Sequence, residues 1–284
     1  MAFVTLRDIL AGCREEGWAV PAFDVINMET AQAAVAGAEA ERAPVILMVL
    51  PSHTPIVHWP VLVDLIKGEA DRHDVPVCLL LDHAVEMAQI RAALGLGFSA
   101  VMIDGSTLPL AENTALTRQA VEMAHAQGAS VEAELGHVGY GEEVLDDTEA
   151  ASRLTRVEEA RRFVADTGVD ALAVAIGTVH GLYRGEPRLD FERLRALHEA
   201  LPVPLVVHGG SGTPDADVKR LVANGICKIN IWTEVAIAFG GALKETLTVP
   251  AQRYRLPEAL ALARERAQTV MQEKIRLLGA SGRA

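Results

Sequence analysis

What constrains this chain most is an alternation that runs its whole length. Short apolar runs and longer amphipathic stretches take turns along 284 residues, with mostly short connections between them. Runs at 19–25, 44–50, 77–82, 99–104, 129–135, 171–176, 203–208 and 226–231 read as strands buried on both faces. Stretches at 29–41, 59–73, 86–94, 111–127, 157–167, 191–200 and 215–224 read as the helices that follow them. Strands that alternate with helices pair in parallel, because each return crossing is made by a helix.

Eight such units fit a closed (β/α)8 barrel, the TIM-barrel class, whose usual length is about 250 residues. An open doubly wound sheet would need a glycine-rich turn after its first strand, and Val25-Ile-Asn-Met-Glu29 is not one. The barrel carries additions at both ends. A helix is expected over 5–16, with Thr5 as its cap and Gly17 as its stop, and helices close the chain, the last over about 257–278. Residues 1–284 then form a single domain.

Composition narrows the function. A net charge of −12 argues against nucleic acid and against an anionic membrane surface as partners. It leaves room for an anionic substrate, since a metal and helix ends can make a small site locally positive. Cys13, Cys78 and Cys227 are far apart and form no CxxC pair, so reduced thiols in a cytoplasmic core are expected. The amino terminus lacks a basic region followed by a long apolar core, and no run is long enough to span a bilayer.

Polar residues gather at the carboxyl ends of the strand runs, where a parallel barrel places its chemistry. The third run, from Val75, ends abruptly in Asp82-His83, and the fourth in Asp104. The fifth carries Glu132 and Glu134, two apart and so on one side. His180 follows the sixth, and the seventh ends in His208. Three imidazoles meeting at one mouth with an open position describe a catalytic zinc site, His83, His180 and His208. For Glu132 and Glu134 a second cation, shaping of the first site and a structural role all stay open. Gly209-Gly210-Ser211-Gly212 after the seventh strand and Asn230-Ile231-Trp232-Thr233 after the eighth read as a phosphate cradle. The glycine-rich, acidic loop 136–147 reads as a mobile lid carrying a carboxylate base, either Glu142 or Glu143. His53, His58, His73, His125, His137 and His198 read as surface residues, His53 least clearly because it follows a strand end.

These motifs resemble those of the class II, zinc-dependent ketose-bisphosphate aldolases, with the tagatose-/fructose-bisphosphate aldolase branch nearest. The matching pieces include Leu81-Asp-His83, Val101-Met-Ile-Asp-Gly-Ser106, Val131-Glu-Ala-Glu-Leu-Gly136, His180-Gly-Leu-Tyr183, His208-Gly-Gly-Ser211 and Lys228-Ile-Asn230 with Thr233. The resemblance implies a lyase that splits a tagatose- or fructose-1,6-bisphosphate-like ketose into dihydroxyacetone phosphate and an aldehyde. It implies zinc on the three histidines, Asp82 as the acid at the aldehyde oxygen, and Glu142 as the lid base. It further implies that Asn230 orients the enediolate and that Gly181, Gly209, Ser211 and Thr233 hold the phosphate, with Na+ or K+ nearby. A homodimer or homotetramer is implied as well. The chain departs from relatives at Asp24, Leu50, Leu80, Trp232 and Tyr140-Gly141. Two other readings stay in view: a metal-dependent sugar-phosphate epimerase or isomerase that keeps the enediolate and drops the aldol step, and a non-catalytic sugar-phosphate-binding subunit, which Leu50, Leu80 and Trp232 motivate.

Overall fold

The structure, a computed structural model, describes residues 3–141, 143, 147–248 and 255–284. Eight parallel strands close into a barrel in sequence order. They are β1 (Val20–Asp24), β2 (Val45–Val49), β3 (Val77–Ala84), β4 (Ala100–Ile103), β5 (Ser130–Leu135), β6 (Ala171–Val174), β7 (Leu205–Val207) and β8 (Ile226–Ile231). The ring closes where Val20 pairs with Lys228 and Phe23 with Ile231. Nearly every strand residue is buried, as expected of strands covered by helices outside and packed side chains inside.

The helix after β1 carries the cap that its sequence supplies. Met28–Glu41 begins at Asn27, whose side chain accepts from the Thr30 backbone N–H while Thr30 answers with its own hydroxyl. The closing helix Leu256–Leu277 buries Ala259, Ala263, Ala267, Met271 and Ile275, a repeat of four that makes one stripe. That stripe packs on Met28–Glu41 and on Thr233–Leu247, and Gly37 lets Gln268 and Gln272 come close. The closing helix therefore ties the first and last units together across the barrel seam.

Two expectations change. The helix over 5–16 is broken into Leu6–Ile9 and Cys13–Glu16, because Gly12 takes φ 81 between them and starts a new turn. A further helix, Asp147–Arg153, stands between the loop 136–147 and the helix expected over 157–167, where no element was expected. Cys13, Cys78 and Cys227 are buried and unpaired. Among the described residues no helix is long and apolar enough to cross a membrane.

Candidate active site

The backbone at His83 makes the site possible. In a regular strand Asp82 and His83 would face opposite sides. Here His83 takes φ 49, the β3–β4 register shifts between Leu81 and Ala84, and both side chains line one cavity at the barrel mouth. A left-handed histidine is a strained conformation that the surroundings must hold in place. Asp104, at the end of β4, supplies part of that hold: its Oδ2 lies 2.8 Å from His83 Nδ1, while its Oδ1 accepts from the Ser106 N–H at 3.0 Å.

His83 and His180 line this mouth, and His208, fully buried, lies directly beside them. Their ring centroids are 5.1, 4.6 and 6.0 Å apart in pairs, and one nitrogen from each lies within 4.8 Å of the others. His83 Nε2 is buried without a hydrogen-bond partner, an orphan atom left facing its neighbours. Three imidazoles at such spacing, one with a buried lone nitrogen, fit a metal ion. A second overlapping set, His83, Asp104 and Glu134, has donors within the same reach.

The electrostatics differ at each ring. Burial, with His208 and His83 nearby, depresses His180 to about 3, so it is a neutral donor at working pH. His208 lies between two carboxylates, Nδ1 2.8 Å from Glu134 Oε2 and Nε2 2.9 Å from Glu132 Oε1. Burial pulls its pKa down, but these bonds and charges outweigh it and raise it to about 10. One of the two contacts must yield before a nitrogen can turn to an ion. Glu132 and Glu134 thus share a side of β5 and act on the same ring.

A buried polar chain continues from Glu132. Lys228, fully buried on β8, reaches Glu132 at 2.9 Å and donates to Asn230 Oδ1 at 2.6 Å. That bond fixes the Asn230 amide, so its Nδ2 donates to Asp82 at 3.1 and 3.3 Å. Burial opposes the Glu132 charge, yet Lys228 and His208 hold its pKa at about 2. In the sequence Lys228 stands within the Lys228-Ile-Asn230 motif. A lysine inside an apolar strand carries a signal of its own, since it is not buried unless paired.

The glycine-rich turns come together beside the histidines. Gly181, Gly209, Ser211, Asn230, Trp232 and Thr233 all line the cavity. Thr233 opens the helix Thr233–Leu247, whose N-terminus faces this side. Gly209 has φ 71, and any Cβ there would run into the Val179 carbonyl. Gly210 and Ile231 do not line the cavity. Gly210 N donates to the Asn230 carbonyl at 3.0 Å, and Ile231 is packed in the core. Trp232 walls the β2 side, its ring 6.1 Å from that of His53.

In the loop after β5, Tyr140 bridges to His180 through paired backbone bonds, Gly141 N to His180 O and His180 N to Gly139 O, both 2.8 Å. Glu143 accepts from Tyr140 N at 2.9 Å and pairs with Arg153 at 2.6 Å. Those contacts occupy Glu143. Glu142, the other carboxylate expected to serve as the base, lies outside the described residues. His137, read as a surface residue, lines the mouth with its Nδ1 3.1 Å from Ser106 Oγ. Its setting in a lid next to a strand end was the available signal.

Comparison with known proteins agrees with this fold. The YdjI aldolase of Escherichia coli K12 superposes with a TM-score of 0.89 at 33% identity, over 99% of this chain and 99% of its own. The fructose-bisphosphate aldolase (Fba) of Campylobacter jejuni superposes with a TM-score of 0.83 at 24% identity, over 99% of this chain and 96% of its own. At that identity the second likeness speaks for the fold alone. Residues 4–283 match the family fructose-bisphosphate aldolase class-II. With a match of that extent and histidines converging at the barrel mouth, this chain belongs to the class-II fructose-bisphosphate aldolase family, and it is an aldolase, a lyase of a generally metal-dependent group that acts on sugar phosphates.

Proposed function

We propose that this protein is a zinc-dependent aldolase that reversibly splits a ketose phosphate into dihydroxyacetone phosphate and an aldehyde. The observation that carries the reading is the convergence of His83, His180 and His208 beside the carboxylate of Asp82. These three residues would hold the ion. When bound, zinc supplies a Lewis acid that polarises the ketone and spreads the negative charge left when the carbon–carbon bond breaks.

The chain's own residues do the rest. Gly181, Gly209, Ser211 and Thr233 bind the phosphate through backbone N–H groups, hydroxyls and a helix N-terminus. In cleavage Asp82 takes the proton from the hydroxyl of the departing aldehyde carbon, and in condensation it returns that proton to the aldehyde oxygen. Asn230, fixed by Lys228, keeps Asp82 aimed. Glu142 removes the proton from the bound ketone in condensation and restores it in cleavage. Na+ or K+ beside the phosphate, a cytoplasmic location, one catalytic domain over 1–284 and a homodimer or homotetramer belong to the same proposal. Exposed Ile237, Leu247 and Leu256 on the last two helices support an assembly.

The test is release of dihydroxyacetone phosphate from ketose phosphates by zinc-loaded protein, followed with a coupled reductase. Release that chelation abolishes and zinc restores is expected. Proton exchange with solvent without triose release would favour an epimerase or isomerase instead. Tight binding without either would favour a non-catalytic subunit.

A further inference from the structure

The residues proposed to hold the phosphate line the side of the mouth built by the loops after β6, β7 and β8. The aldehyde half of the substrate must then lie toward the ends of β1, β2 and β3, beside Asp82. That wall is made by Asp24, Leu50, Pro51, Ser52 and Val85. Among the described residues lining this cavity, of about 480 Å³, there is no lysine and no arginine. Lys228, on the neighbouring strand, is fully buried and engaged by Glu132 and Asn230. Asp24 lines the cavity, is 5% exposed, and its Oδ1 has no hydrogen-bond partner.

We propose that the aldehyde half is an unphosphorylated hydroxy-aldehyde, so that the substrate is a ketose 1-phosphate, and that Asp24 determines this choice by pairing with one of its hydroxyls. The proposal rests on the aldolase reading above and adds the substrate class. A hydroxyl both donates and accepts, so it pairs with the Asp24 carboxyl whether or not that group carries a proton. A second phosphate has the opposite fit. It would bring a dianion against two carboxyls, Asp24 and Asp82, on a wall without a cation. Leaving the Asp24 oxygen unpaired penalises an aldehyde without hydroxyls, which is how a polar site rejects an analogue.

The experiment uses zinc-loaded full-length protein, dihydroxyacetone phosphate and three aldehydes: glyceraldehyde, glyceraldehyde 3-phosphate and propanal. Glyceraldehyde should exceed each of the others by about tenfold or more in kcat/KM. Asp24→Ala should lose about tenfold on glyceraldehyde and little on propanal, a discrimination that general damage to the fold would not produce. Asp24→Asn should narrow the gap between glyceraldehyde and its 3-phosphate. A wild-type preference for glyceraldehyde 3-phosphate overturns the proposal without any variant. So does an equal loss on glyceraldehyde and propanal in Asp24→Ala. Solvent-deuterium exchange into dihydroxyacetone phosphate separates the two levels. Exchange with the reversed aldehyde preference sinks the Asp24 assignment alone, whereas no exchange and no condensation sinks the aldolase reading with it.

Discussion

At the scale of single residues, His208 shows how the site prepares for an ion. With a carboxylate at each nitrogen and a pKa raised to about 10, its ring is an imidazolium at neutral pH in metal-free protein. A raised pKa contributes stability that is complete below the unfolded value near 6.5 and is lost as pH climbs through about 10. The melting temperature of metal-stripped protein should therefore fall as pH rises from about 7 to about 10, and scanning fluorimetry across that range checks it. A flat profile would mean the ring is not held this way. Zinc binding near neutral pH should release about one proton, read by calorimetry in buffers of different ionisation enthalpy. Lys228 is the second case. Lys228→Met takes from the buried Glu132 one of its two cationic partners, leaving it His208 alone, and should cost about 1–3 kcal/mol in denaturant unfolding. It should lower kcat more than it raises KM, since Asp82 loses its orientation through Asn230.

At the scale of elements, the strands were legible because parallel-sheet strands are apolar on both faces, and all eight lie where those runs occur. The three histidines and the two loops after β7 and β8 were legible for a related reason: polar residues at strand ends have few structural uses. Local irregularities were not legible. Nothing in Leu81-Asp-His83 announces that His83 adopts φ 49, although without it Asp82 and His83 could not share a cavity. Nor does spacing say that Gly12 splits the first helix, or that Arg153 holds Glu143. Two predictions belong here. Gly209→Ala forces a Cβ into the Val179 carbonyl at φ 71, so it should cost more than about 1 kcal/mol and raise KM for dihydroxyacetone phosphate. On the lid, Glu142→Gln should lower kcat by about 10²–10⁴ with metal content unchanged. Glu143→Gln, which only breaks the contact to Arg153, should keep most of the activity; the reverse ranking would move the base to Glu143.

At the scale of the whole molecule, the closed barrel brings residues from β3, β6 and β7 to one mouth, although the histidines are far apart in sequence. The seam between β1 and β8 is braced by the closing helix against Met28–Glu41, which keeps Asp24 and Asn230 on adjacent strands. Everything proposed for the chemistry depends on those histidines meeting at one ion. The most direct measurement is an anomalous difference map at the zinc edge from crystals of zinc-loaded protein. The account predicts one strong peak bonded by nitrogens of His83, His180 and His208. A map with no peak there, or with zinc held by other residues, would contradict it.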